Sequence, residues 1–342
     1  MKILVIGGTG VISRAIIKEG LEEGHEMIAF HRGTKRSGLE EQMTTVIGDR
    51  KDREMFSRLG KELQPDVVID MIAFDEADAG QTVETFEGYA GQLIFTSSSA
   101  AYQKPFHALP VMEDREELCR DASFPYAYKK AQMERFLQTV AEQGKIPVTV
   151  IRPSLTFGEG CANIGVLRQN YNIVRRIREG KPLVLPGDGV SPWSFTFAPD
   201  LAKGYLLACG NPAAFGECFH ITNTEQVIWK DLYGTIGKII GIEPKYVYVP
   251  SALLKEADPA LFGHFWYEKM YGHVFSNEKF QKAAPGYRPV LSLEDGMKMI
   301  LRWWEKEAHG TDEEKDRMED AICAAYERFR ADLCGALRNE TR

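Results

Sequence analysis

The chain reads as an α/β protein: a doubly wound parallel sheet carrying a smaller, discontinuous C-terminal lobe. Three observations predict this. Short β-branched runs alternate with helical stretches from Lys2 to Ile151, a glycine-rich turn follows the first of those runs, and the rhythm changes after Pro153.

Strands are expected at Lys2–Ile6, Met27–Phe30, Thr44–Ile47, Asp66–Met71, Leu93–Thr96 and Val148–Ile151. The segment Ser13–Glu23, with Ala15, Ile16, Ile17 and Leu21 at apolar positions, reads as a helix between the first two strands. Runs such as Val67-Val68-Ile69 carry no polar alternation, which fits a sheet covered on both faces. Beyond Pro153 the spacing of Pro182, Pro186, Gly187, Gly189 and Pro192 predicts turns rather than a continued α/β alternation. The apolar run Phe215–Thr222 is expected to return to the sheet. The expected division is therefore 1–158 plus 195–224 for the nucleotide-binding domain, 159–194 plus 225–305 for the substrate lobe, and 311–342 for a charged helical tail. In that tail Met318, Ile322, Tyr326, Phe329, Leu333 and Leu337 form one stripe, expected to pack on the body of the protein, with a dimer contact as the alternative.

Bulk properties narrow the function classes. The 342 residues are 44% hydrophobic and 27% charged, with a formal net charge of −7. That balance suits a globular protein and disfavours one that works by gripping phosphate backbones. No apolar run reaches the roughly 18–20 residues of a membrane span. Met1-Lys2 leads directly into a strand, so no secretory leader is expected and a cytoplasmic location is. The six cysteines are scattered without ligand spacing, and no metal site is expected.

The first strand runs into Gly7-Gly8-Thr9-Gly10-Val11-Ile12-Ser13. A glycine turn between strand and helix lets a pyrophosphate reach the backbone and the unsatisfied N–H groups of the helix start. Gly7, Gly10, Val11 and Ile12 are the expected contacts of a dinucleotide in a Rossmann-type domain. Ser13 stands at the third glycine's place, where a small residue suffices. A carboxylate at the end of the second strand would select NAD through the ribose hydroxyls. Here that strand ends Phe30-His31-Arg32-Gly33, followed by Lys35 and Arg36. Arg32 suits a 2′-phosphate, so NADP is favoured over NAD; a solvated basic loop is the other reading. After the third strand come Asp49 and Arg50, both expected to reach the cofactor. Asp49 would accept from the adenine amino group, or else cap the following helix.

Two later segments carry chemistry. Thr96-Ser97-Ser98-Ser99 ends a strand in hydroxyls, and Tyr126 and Lys130 stand four apart on a helix and so share a face. An ammonium beside a phenol favours the phenolate, and a phenolate formed near neutral pH is a general base for a secondary alcohol. A nearby serine hydroxyl would hold the same substrate oxygen. Tyr128 is the competing phenol, but Gln132 stands four residues after it.

With these motifs in place, the chain resembles the extended short-chain dehydrogenases/reductases, the NAD-dependent epimerase/dehydratase family, over roughly residues 1 to 305. Arg152-Pro153, Gly187-Asp188-Gly189 and Asp200-Leu201-Ala202 add to the likeness. The resemblance implies an NAD(P)-dependent oxidoreductase or epimerase acting on a secondary alcohol or keto group of a sugar-like molecule. It implies Tyr126 as base and Lys130 as a ligand of the nicotinamide ribose. Counting back from Tyr102, it implies Ser98 as the catalytic hydroxyl, with Ser99 as the substitute on the substrate side.

Two departures bear on the substrate. Ser99-Ala100 replaces the acidic pair of the sugar-nucleotide dehydratases. Trp193 stands where the family's sugar-nucleotide enzymes place an arginine for the substrate pyrophosphate. Trp193 would instead stack on a sugar or pack the lobe. The expected partner is a carbohydrate-like small molecule, with a homodimer as the expected self-association if there is one; neither nucleic acid nor membrane is favoured. The alternatives are a nucleotide-sugar 4-epimerase and a non-catalytic RNA-binding or dinucleotide-sensing member of the atypical branch. For the RNA-binding reading, the His31-Arg32-Gly33 segment resembles chloroplast stem-loop-binding proteins.

Overall fold

The computed structural model describes residues 1–307 and 310–340. Two compact units emerge: one comprises 1–160, 194–225 and 274–291, the other 161–193, 226–273 and the chain from Ser292 onward.

The first unit is built on β1 (Lys2–Ile6), α1 (Val11–Glu22), β2 (Glu26–His31), β3 (Thr44–Ile47), α2 (Arg53–Leu63), β4 (Val67–Asp70), α3 (Glu76–Phe86), β5 (Gln92–Thr96), α4 (Pro125–Gln143) and β6 (Val148–Arg152). With the strand Cys218–His220 at one edge, the order is Cys218–His220, β6, β5, β4, β1, β2, β3, a seven-stranded sheet whose neighbours all pair in parallel. The order in which the chain adds strands reverses between β4 and β1, and the carboxyl ends of these parallel strands form the crevice in which open α/β sheets bind ligands. Alternation along β1 sends Ile3 and Val5 into one core with Ile16, Ile17, Leu201 and Tyr205, and Leu4 and Ile6 into the other with Phe56, Phe86, Met133 and Leu137. Both faces are buried, which is why these strands carry almost no polar residues.

The segment Val274–Leu291, expected in the smaller lobe, belongs to the first unit. Asn277 bonds both the N–H (3.1 Å) and the carbonyl (2.6 Å) of Thr222, and Asp200 accepts from the N–H groups of Val290 and Leu291 at 3.0 and 2.9 Å. Phe280 and Tyr287 complete the core around the helix Ala198–Ala208. Backbone-to-side-chain ties of this kind leave no periodicity in the sequence.

The second unit pairs the strands Pro182–Pro186 and Lys245–Val249 in parallel. The tail forms the helix Glu313–Glu340; Thr341 and Arg342 lie outside the described residues. Its apolar stripe does not close onto the unit along its length: Phe329, Leu333 and Leu337 are 51%, 46% and 57% exposed. What the helix buries is a charged face. Arg176, fully buried, donates to Asp316 at 2.9 Å and Asp320 at 2.7 Å, with Glu319 at 3.4 Å. Glu319 also accepts from the N–H of Val184 (2.9 Å) and from Gln169 (3.0 Å). Met318, Ile322 and Tyr326 are half-buried, so only the C-terminal half of the stripe departs from the expectation of packing on the body; hydrophobic periodicity does not register a helix docked through ions. Among the described residues, no helix is long and apolar enough to cross a membrane.

Removing one member of such a buried set strands the others without a counter-charge. Arg176→Met is therefore expected to destabilise the second unit by about 3–5 kcal/mol, read from its denaturant transition. A loss below about 1 kcal/mol would show that the pairs behave as solvated surface ions.

Candidate active site

The glycine turn sits at the carboxyl end of β1. Gly7 has φ +87°, and a Cβ there would lie 2.5 Å from Ile72 Cγ2; one at Gly8 would lie 2.6 Å from Ala29 Cβ. Ser13 is buried, and its hydroxyl donates to the Gly7 carbonyl at 2.7 Å, so the residue that replaces the third glycine also fastens the turn. Gly10 precedes α1, whose first N–H groups, those of Val11 and Ile12 among them, have no intrahelical acceptor. A cavity of about 480 Å³ opens beside this turn, lined by Gly7, Gly10, Arg32, Asp49, Arg50 and Phe74 among others. The bare backbone and the free helix start fit a dinucleotide pyrophosphate.

The residues at the ends of β2 and β3 differ in how they meet this cavity. Arg32 is exposed, and no carboxylate ends β2. His31 is buried, and its Nδ1 accepts from the N–H of Gly33 at 3.0 Å. Asp49 accepts from the N–H of Lys51 at 3.0 Å and does not cap α2; Asp52 does, accepting from Met55 at 3.1 Å. Arg50, expected to reach the cofactor, has its guanidinium turned into the protein. It donates to the Asp78 carbonyl at 2.6 Å and to Thr82 at 3.1 Å, and it lies 3.3 Å from Asp70. Its part at the cavity is to hold the floor.

Helix α4 opens with Pro125 at its first turn, where a missing N–H costs nothing, and ends at Gly144 in the left-handed region (φ 67°). Its buried face runs through Ala127, Lys130, Ala131, Met133, Glu134 and Leu137. Lys130 is thus drawn inward, 2% exposed, while Tyr126, one turn nearer the sheet's carboxyl edge, remains 44% exposed. The Lys130 ammonium donates to the carbonyls of Ala73 and Thr96, both at 2.7 Å, and lies 5.1 Å from the Phe74 ring. Burial pulls its pKa down to about 8 against the opposing field of Asp70 and Glu134. Thr96 is two residues before Ser98, so the lysine joins the hydroxyl-rich strand end to the helix that bears the tyrosine. Ser98 is half-buried and accepts from the N–H of Ala100 at 3.1 Å. Ser99 is buried, with its N–H on the Pro153 carbonyl at 3.0 Å.

Behind these residues lies a buried polar network that motif reading missed. Arg152 donates to Glu134, with Nε at 3.0 and 2.9 Å from its two oxygens, and to the Tyr102 hydroxyl at 2.5 Å. The Ser97 hydroxyl donates to Glu134, and the Tyr102 hydroxyl meets His220 Nε2 at 2.6 Å. Burial and the nearby Arg152 charge hold the His220 pKa well below the usual range, so the ring is neutral. The one available signal was spacing: Glu134 is four residues beyond Lys130, on the same face. Among the described residues, no three His, Cys, Asp or Glu side chains gather as metal ligands.

Trp193 lies in the second unit and is only 1% exposed. Its ring stacks on His273 (centroids 4.0 Å, 10°) and sits 4.8 Å from Trp229. Of the two roles expected for it, the ring performs packing and has no open face for a sugar.

The profile of the NAD dependent epimerase/dehydratase family matches residues 3–221. A 2′-dehydrokanamycin reductase from Streptomyces kanamyceticus is 24% identical over 251 residues, covering 73% of this chain and 70% of that protein. The chloroplast stem-loop binding protein of 41 kDa b from Arabidopsis thaliana is 25% identical over 315 residues, covering 86% and 77% respectively. Among solved structures, the UDP-glucose 4-epimerase of Thermotoga maritima, determined with UDP-glucose, shares the fold with a TM-score of 0.73 at 20% identity, covering 90% of this chain and 100% of that one. With the profile match running from the first strand through the sheet's last, the chain belongs to the NAD dependent epimerase/dehydratase family.

Proposed function

We propose that the chain is an oxidoreductase or epimerase that moves a hydride between a nicotinamide dinucleotide, NADP rather than NAD, and a secondary alcohol or keto group of a sugar-like substrate. The observation that carries this reading is the position of Lys130, buried on the Thr96 carbonyl at the end of β5 and the Ala73 carbonyl in the loop after β4, one helical turn from Tyr126.

Gly7, Gly10 and the first N–H groups of α1 would hold the pyrophosphate, with the adenosine end toward Asp49 and Arg32. When bound, the nicotinamide accepts or supplies the hydride. In the oxidising direction the Tyr126 phenolate takes the hydroxyl proton as the carbon gives up its hydride; in reduction the phenol returns that proton. Lys130 favours the phenolate through its charge and offers its remaining N–H to the nicotinamide ribose. Ser98 holds the substrate oxygen. The relative named as a dehydrokanamycin reductase supports reduction of a keto group. Trp193 in the arginine's place disfavours a nucleotide diphosphate, as does the engagement of Arg175 and Arg176 with Asp316.

A second reading, RNA binding, is favoured by the stem-loop binding relative. The Tyr126/Lys130 pair and the net charge of −7 weigh against it.

Tyr126→Phe is expected to keep dinucleotide affinity and lose at least ~100-fold in turnover. Undiminished turnover on the true substrate would remove Tyr126 as the base. Arg32→Ala should weaken NADP far more than NAD, since only the 2′-phosphate needs the guanidinium; equal parent affinities for the two dinucleotides would contradict this. Calorimetry of the cofactor-loaded protein should show no micromolar binding of UDP, GDP or dTDP. Such binding would restore a nucleotide-sugar epimerase as the first choice.

A further inference from the structure

Phe74, four residues beyond β4 in the first unit, carries an aromatic ring that is 51% exposed. A single exposed ring is ordinary on a protein surface. Two contacts set this one apart. It lines the cavity beside the glycine turn, with Gly7, Gly10, Ile72 and Asp78 among the other lining residues. Lys130 Nζ stands over the same ring, 5.1 Å from its centroid, although Lys130 itself does not line that cavity. Phe74 therefore borders both the cavity and the ammonium.

The backbone beneath the ring is fastened residue by residue. Asp70 accepts from the Ile72 N–H at 2.9 Å, the Ala73 carbonyl accepts from Lys130 at 2.7 Å, and Asp78 accepts from the Phe74 N–H at 2.9 Å. Asp78 lies 3.6 Å from the Arg50 guanidinium, and Lys129 reaches Asp75 at 3.3 Å, so the start of α3 and the face of α4 hold the same loop. A half-exposed ring is thus presented from a fixed backbone. Attraction between a cation and an aromatic face is strongest where water is excluded, and Lys130 is buried. The face toward the ammonium is already dry, and the exposed area belongs to the rest of the ring. A dinucleotide that runs from the glycine turn to Lys130 must pass that area, where the carbon–hydrogen surface of its sugars can pack.

We propose that Phe74 is a positioning residue: its ring packs on the dinucleotide where the ligand crosses from the glycine turn to Lys130, and holds the Lys130 ammonium against its other face. The proposal rests on the redox reading above and adds to it the side chain that couples dinucleotide binding to the Lys130–Tyr126 pair.

All five tryptophans, Trp193, Trp229, Trp266, Trp303 and Trp304, lie in the second unit, so Phe74→Trp adds an indole to a unit that has none. The test uses the full chain with NADP or NAD, whichever binds wild type more tightly. Acrylamide should quench the emission added by Phe74→Trp, and saturating dinucleotide should shield it. By calorimetry, Phe74→Ala should bind the dinucleotide about tenfold more weakly than wild type, the scale of covering half a phenylalanine side chain. Phe74→Tyr keeps the ring and should restore most of that affinity. Quenching unchanged by dinucleotide, equal affinity in wild type and Phe74→Ala, or a Phe74→Tyr as weak as Phe74→Ala each overturns the proposal and leaves the redox reading standing. No saturable binding of either dinucleotide to wild type overturns both. The ring is half in solvent, so these variants leave the core intact.

Discussion

The first unit's candidate site is organised around one buried ammonium. Lys130 ties the loop after β4 and the end of β5 to α4 by donating to the Ala73 and Thr96 carbonyls. Placing it there costs stability. Its pKa in the folded chain is about 8, against about 10.4 for a free lysine. Between those values the unfolded chain binds more protons, so stability rises with pH across that window and is reduced, by about 3 kcal/mol, below it. A surface lysine would escape this cost. On the proposed mechanism this cost is the counterpart of function: the ammonium would bias the neighbouring phenol and present a donor to a ligand at the sheet's edge.

The lysine is in turn held by what lies behind it. Glu134, one turn further along α4, binds Arg152 at the end of β6 and the Ser97 hydroxyl at the end of β5. Arg152 continues to Tyr102, and Tyr102 to His220 on the edge strand. Three neighbouring strand ends are thus locked in register with the helix by a fully partnered polar chain. A half-satisfied network in that position would be worse than an apolar one. Its completeness keeps the hydroxyl-rich segment rigid while Ser98 remains accessible.

Strand positions were legible because the sheet is buried on both faces. Uninterrupted apolar runs such as Val67–Ile69 have few other uses, and the glycine turn could only follow the first of them. The Tyr126/Lys130 spacing together with the upstream glycine turn predicted a shared helix face, and α4 carries both residues, Lys130 buried and Tyr126 exposed. The parts that escaped are those held by hydrogen bonds and ions. Val274–Leu291 joins the first unit through Asn277 and Asp200, the tail helix docks through Asp316 and Glu319, and Arg50 turns inward to Asp78 and Thr82. None of these leaves a period in the sequence. Trp193 was ambiguous for a different reason: an aromatic ring in a turn-rich lobe serves packing and stacking equally well until its neighbours, His273 and Trp229, are placed.

The central claim, that Lys130 and the glycine turn together hold a nicotinamide dinucleotide with its reactive end toward Tyr126, is tested most directly by a crystal structure of the chain grown with NADPH. The account predicts pyrophosphate oxygens on the N–H groups of Gly10 to Ile12. It also predicts a nicotinamide ribose hydroxyl within about 3.2 Å of Lys130 Nζ, with the Tyr126 hydroxyl on the same side of the ring. A dinucleotide bound elsewhere, or bound at the glycine turn with its nicotinamide ribose away from Lys130, would contradict it.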